Sequence, residues 1–157
     1  MLRVINIAEG TTVDGPGLRT SIYFAGCKHA CKGCHNPDSW AFDAGEDWSV
    51  EKLMRVILYN HFNVTLSGGD PLYQAKELLP LLVEIKKAGL EIWCYTGFVY
   101  ETIKDISPYK EVLQYVDVLV DGPYIEKCKP KGPALRFRGS DNQRFICPAT
   151  GEELHYY

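Results

Sequence analysis

The chain has 157 residues, 46% hydrophobic and 24% charged, with a formal net charge of −3. That length carries one domain whose core folds without staples, and it is short of the roughly 200 residues that a full eight-unit (β/α) barrel needs. The charge excludes a global basic field for nucleic acid. No apolar run approaches the ~18 residues of a membrane span, and the N-terminus lacks a signal peptide's apolar stretch and cleavage site, so one cytosolic domain over residues 1–157 is expected.

In chain order, residues 2–8 predict a strand. Residues 20–24, 63–66, 91–95 and 117–120 are short, mostly apolar runs, as in strands buried on both faces. Between them, Val50, Leu53, Met54, Ile57 and Leu58 have the spacing of an amphipathic helix, with Asp47 or Ser49 as its cap. Ala75, Leu78, Leu79, Leu82 and Val83 repeat that spacing, with Lys86 and Lys87 in the last turn and Gly89 as the stop. Pro80 predicts a kink there, or a regular start only near residue 78. Weaker helices cover 99–105 and 108–115. After Pro123 the chain reads as loop, one strand at 144–147 and a tail. The alternation implies a parallel sheet with right-handed crossovers: an incomplete barrel or a small open α/β sheet.

The predicted parallel strands run into Gly26-Cys27, Ser67-Gly68-Gly69-Asp70-Pro71, Thr96-Gly97 and Asp121-Gly122-Pro123. Ligands of parallel α/β folds bind outside the carboxyl ends of strands, and glycine there admits a close approach to the backbone. The site is therefore expected on that face.

Six cysteines are the compositional anomaly. Three of them, Cys27, Cys31 and Cys34, fall in one C-x3-C-x2-C array, and Cys94, Cys128 and Cys147 are scattered. Clustering of this kind in a cytosolic chain points to metal rather than to a disulfide framework. Three thiolates on one tight loop can hold three corners of a four-iron cluster and leave the fourth iron open. Structural zinc, with His29, His35 or a distant Cys as fourth ligand, is the alternative that spacing alone leaves open, although the second ligand pair usual in zinc knuckles is missing. A radical enzyme acting on a small molecule and a zinc-stabilised binding module remain the competing functions at this point.

The array at the end of a first parallel strand, followed by Ser67-Gly68-Gly69-Asp70-Pro71, resembles the radical S-adenosylmethionine superfamily and its Gly-Gly-Glu type motif, with Asp70 in the place of Glu. Asp14-Gly15-Pro16-Gly17-Leu18-Arg19, Gly33-Cys34-His35-Asn36-Pro37, the run from Asp117 to Tyr124 and the run from Arg136 to Arg144 narrow the resemblance to glycyl-radical-enzyme activases. Among these they are similar to the activating proteins of anaerobic, class III ribonucleotide reductases. The resemblance implies an α/β fold, an incomplete, open (β/α) barrel of about five to six parallel strands with flanking helices, in a single radical-SAM-type domain. It implies a [4Fe–4S] cluster on Cys27, Cys31 and Cys34. It also implies S-adenosylmethionine held by Gly33, Cys34, His35, Ser67, Gly68, Gly69 and Asp70, with Tyr95, Thr96 and Asp121 as further contacts. No catalytic residue is implied beyond these ligands. Gly33 stands where many members carry an aromatic residue, and His35 is the replacement for the adenine contact. A 5′-deoxyadenosyl radical would generate a glycyl radical on the large reductase subunit, with a low-potential donor such as flavodoxin; neither nucleic acid nor membrane is implied as a partner.

Overall fold

A computed structural model describes residues 1–130 and 136–156. One eight-stranded sheet contains β1 (Leu2–Thr11), β2 (Arg19–Phe24), β3 (Glu46–Trp48), β4 (Asn63–Gly68), β5 (Ile92–Tyr95), β6 (Val118–Asp121), β7 (Arg144–Cys147) and β8 (Glu152–Leu154), in the order β3-β1-β2-β4-β5-β6-β7-β8. Strands β2, β4, β5 and β6 are parallel. Strands β1 and β3 on one flank, and β7 and β8 on the other, are antiparallel. The parallel part thus holds four strands, not five to six. β1 shares the apolar pattern of a parallel strand, but residues 12–18 are too few for the crossover of about a dozen residues that parallel pairing requires. The tail after residue 147 folds back as β8, and β3 extends the opposite edge; both are only three residues long, below what periodicity can reveal.

The helices are α1 (Val50–Asn60), α2 (Ala75–Lys87), α3 (Tyr100–Ile103) and α4 (Tyr109–Leu113). The Ser49 hydroxyl caps α1 by accepting from the Lys52 N–H at 3.1 Å, while Asp47 lies in β3 beside Arg3. The second helix runs from Ala75 through Pro80 without a late start. Pro80 and Lys76 both face solvent, so water can satisfy the Lys76 carbonyl that proline leaves without its helical donor.

Strand alternation divides the side chains between two faces. Ile22, Phe24, Val64, Leu66, Ile92, Cys94 and Leu119 pack with Leu53, Ile57, Leu78, Leu81, Leu82 and Ile85 of the helices in the main core. Each fully buried Leu or Ile contributes roughly 1.5–3 kcal/mol. Trp93, Val118, Val120 and Phe145 form a smaller core, against which Tyr95, Phe137 and Tyr156 pack. Arg19, Ser21 and Thr65 are fully buried polar groups. No helix among the described residues is long and apolar enough to cross a membrane.

Arg144 fastens the β6–β7 flank, meeting Asp121 and Glu101 at 2.7 Å each. Its hydrogen bond holds the Glu101 carboxyl below the ordinary 4.5. A depressed carboxyl gives stability that is complete above its unfolded value and is lost as pH falls through the folded one. Acid unfolding followed by circular dichroism should therefore show wild-type and Glu101→Gln curves that are separated at neutral pH and converge below about pH 4.5. Curves that stay parallel would remove this pair from the acid response.

Candidate functional site

The carboxyl ends of the four parallel strands open on one cavity of about 420 Å³. That volume lies within the roughly 300–1,000 Å³ usual for small-molecule sites. Cys27, Cys31 and Cys34 line it from the loop after β2; Ser67, Gly68 and Gly69 from the end of β4; Tyr95, Thr96 and Gly97 from the end of β5; and Gly122 follows β6. All four glycine-bearing strand ends identified in the sequence thus meet there.

The cysteine loop hangs from the main chain of a short 3₁₀ turn, Pro37–Trp40. Gly26 N–H donates to the Ser39 carbonyl at 2.8 Å, and Cys27 N–H donates to the Trp40 carbonyl at 3.2 Å. Cys34 N–H closes back on the Cys31 carbonyl at 3.1 Å. Burial pushes the metal-free Cys27 thiol up to about 11, against the His29 main-chain N–H, which favours its thiolate. All six cysteines are free. Cys94 is fully buried in the main core, and burial raises its thiol well above the ordinary range, which suits an inert core residue. Among the described residues no three His, Cys, Asp or Glu side chains close around a single ion. The donor set is three soft thiols spread over the wall of a roomy cavity, which fits a cluster larger than one ion.

Of the residues expected to contact a cofactor, Cys34, His35, Ser67, Gly68, Gly69, Tyr95 and Thr96 line the cavity, whereas Gly33, Asp70 and Asp121 do not. A Cβ on Gly33 would meet the Glu126 carboxyl at 3.1 Å and the Tyr124 ring at 3.4 Å. Asp121 is buried and committed to Arg144 and to the Tyr100 N–H at 2.8 Å. Asp70 is fully buried behind the wall, where it accepts from four donors: the Leu72 N–H, the Thr96 hydroxyl, the Gly97 N–H and His29 Nε2. The two glycines before it answer to backbone crowding. A Cβ on Gly68, which sits at φ +104°, would meet Phe24 N at 2.2 Å, and one on Gly69 would meet Gly26 O at 2.6 Å. These glycines let β4 close against the root of the cysteine loop.

The remaining wall was less visible in sequence. Asp14 and Val13 come from the segment between β1 and β2, and Phe137, Arg138 and Gln143 from the chain before β7. Two tyrosines of the sheet hold these segments: Tyr23 donates to the Asp14 carboxylate and Tyr95 donates to the Phe137 carbonyl. Beneath them the buried Arg19 donates to Thr65 Oγ1 at 2.7 Å, Glu91 Oε1 at 2.9 Å, and the Val64 and Pro16 carbonyls at 3.0 and 3.2 Å. Its guanidinium lies over Trp93, 5.3 Å from the ring centroid. The quoted Asp14 to Arg19 motif was a signal for this wall. The run from Arg136 to Arg144 carried a weaker one, since its three arginines, Arg136, Arg138 and Arg144, also suit a solvated strand face.

The family described as "4Fe-4S single cluster domain" matches residues 13–146. Among curated relatives, the anaerobic ribonucleoside-triphosphate reductase-activating protein of Enterobacteria phage T4 is 39% identical over 91% of this chain and 92% of its own length. The proteins of that name from Haemophilus influenzae and Escherichia coli are 35% and 33% identical, each over 83% of this chain and 88% and 89% of their own. A solved structure, QueE from Escherichia coli, superposes with a TM-score of 0.49 at 21% identity, over 61% of this chain and 52% of that one. With identity this high along nearly the whole length of both partners, and an iron–sulfur family spanning the cysteine loop and all four parallel strands, the chain belongs to the family of anaerobic ribonucleoside-triphosphate reductase-activating proteins.

Proposed function

We propose that the chain activates an anaerobic ribonucleotide reductase by generating a glycyl radical on its large subunit. The observation that carries this reading is the convergence of Cys27, Cys31 and Cys34 on the cavity formed by the four parallel strand ends. In this reading the three thiolates hold a [4Fe–4S] cluster and leave its fourth iron for S-adenosylmethionine. When bound, cluster and cofactor would supply the radical chemistry that removes a hydrogen atom from a glycine Cα. The chain's own residues bind, orient and shield. Ser67 offers a hydroxyl, and Gly68 and Gly69 offer main chain, beside the cysteines. His35 packs on Tyr124 with centroids 4.9 Å apart, a ring pair suited to border the adenine. Tyr95 presents its ring, because its hydroxyl is used on Phe137. Thr96 presents main chain, because its hydroxyl lies between Asp70 and the Phe98 N–H.

The partner's glycine must enter from outside, and the exposed Val13, which lines the cavity together with Arg138, suits a docking mouth. A low-potential donor such as reduced flavodoxin delivers the electron, and an oxygen-labile cluster on free thiols suits a reducing cytoplasm. All of this belongs to one radical-SAM-type domain over residues 1–157.

Electron paramagnetic resonance of the anaerobically reconstituted, dithionite-reduced protein tests the reading. The expected result is a reduced [4Fe–4S] signal that changes shape with S-adenosylmethionine, and a glycyl radical doublet once the reductase is added. A signal indifferent to the cofactor would overturn it.

A further inference from the structure

The motif carboxylate Asp70 and the loop residue His29 meet at 2.7 Å, with side chains 0% and 16% exposed. Asp70 Oδ2 already accepts from the Thr96 hydroxyl at 2.8 Å and the Gly97 N–H at 2.9 Å, so the hydrogen between the pair lies on His29 Nε2. The imidazole is also held from its faces. It packs edge-on against Phe98 at 4.6 Å and against Tyr73 at 5.5 Å. Gly97 is glycine for the ring's sake: a Cβ there would meet His29 Cδ2 at 2.4 Å. A histidine seated so firmly fixes the chain around it. Ala30, the next residue, is held at φ +49°, a left-handed conformation that an L residue rarely adopts unaided.

We infer that His29 is a positioning residue for the cluster: anchored by Asp70, it locks the cysteine loop to the ends of β4 and β5. The motif carboxylate then acts on the loop, not on the cofactor. This rests on the cluster reading above, and it differs from what the motif resemblance implies, since Asp70 is fully buried, accepts four protein hydrogen bonds and is not among the residues that line the cavity. Partners that orient metal ligands are typically worth roughly 10–100-fold in metal retention when removed.

The test compares wild type, His29→Ala, His29→Gln, Asp70→Asn and the His29→Ala/Asp70→Asn double variant, each full length and reconstituted anaerobically. Iron and sulfide per chain, the rate of iron loss to a chelator, and S-adenosylmethionine affinity from the cofactor-induced spectral change are measured. We expect iron loss accelerated roughly 10–100-fold in His29→Ala and Asp70→Asn, with the double variant no faster than the worse single one. His29→Gln, which keeps an N–H donor, should recover part of the retention. Cofactor affinity of the loaded variants should stay within about threefold of wild type on this positioning role. Wild-type iron loss in both single variants overturns the inference. So does Asp70→Asn with normal iron loss and cofactor affinity weakened about tenfold or more, which assigns the carboxylate to the cofactor. If His29→Ala does not fold, His29→Gln and Asp70→Asn carry the same comparison. Wild type that takes up no cluster would instead refute the cluster reading itself.

Discussion

Alanine at any one of Cys27, Cys31 or Cys34 should abolish cluster assembly, while alanine at Cys94, Cys128 or Cys147 should leave it intact. The first three thiols share a cavity wall, and a cubane held at three corners has none to spare. Removing one leaves two protein ligands for a cluster that this loop holds at three corners. Iron and sulfide should fall to background in each of these variants after anaerobic reconstitution, and the glycyl radical should not form on the reductase. Cys94 supplies the contrast. It is fully buried among apolar side chains, so Cys94→Ala should lower stability in urea by about 1–2 kcal/mol while the variant still loads iron. A Cys31→Ala protein that loads four irons, or a Cys94→Ala protein that loads none, would contradict the assignment.

The cysteine array and the glycine-rich strand ends were legible because each is a local pattern, and local patterns survive reading one residue after another. The central strands were legible for the same reason: β2, β4, β5 and β6 coincide with the apolar runs to within a residue or two. What sequence could not give is the direction of the flanking strands. Leu2 and Val4 are buried in the main core and look like residues of any interior strand, but β1 is turned antiparallel by the shortness of its link to β2. Side-chain destination was also hidden. Asp70 follows two glycines in a motif whose carboxylate is expected at a ligand, yet its partners come from residues 29, 72, 96 and 97, and only folding brings these together. Gly68 and Gly69 were expected to admit a ligand to the backbone. In the fold it is the backbone of Phe24 and Gly26 that crowds them, and both glycines also line the cavity.

Arg19 shows the same difference most strongly, and it carries the second large effect. In sequence it is one cation at the end of Asp14-Gly15-Pro16-Gly17-Leu18, with an ion pair as its simplest role. In the fold its partner Glu91 is 42% exposed, so that ion pair alone is worth at most about 1 kcal/mol. The other bonds of the guanidinium, to Thr65 Oγ1 and to the Val64 and Pro16 carbonyls, join β2 to β4 and to the segment that brings Asp14 to the cavity. Thr65 Oγ1 in turn donates to the Asp14 carbonyl at 2.8 Å. Gly15 fits only because it lacks a side chain, since a Cβ would lie 2.8 Å from Arg19 Cδ. Arg19→Met keeps most of the apolar stem under Trp93 but strands these acceptors, and should cost about 3–5 kcal/mol. Arg19→Lys keeps the charge without the planar fork and should fall between Arg19→Met and wild type. Glu91→Gln should cost at most about 1 kcal/mol. Urea unfolding of the metal-free proteins measures all three. If Glu91→Gln proves as damaging as Arg19→Met, the surface ion pair carries the energy. If it does not, the guanidinium is the fixture that holds the Asp14 wall in place, and activation of the reductase should fall in Arg19→Lys even where the protein remains folded and the cluster is loaded.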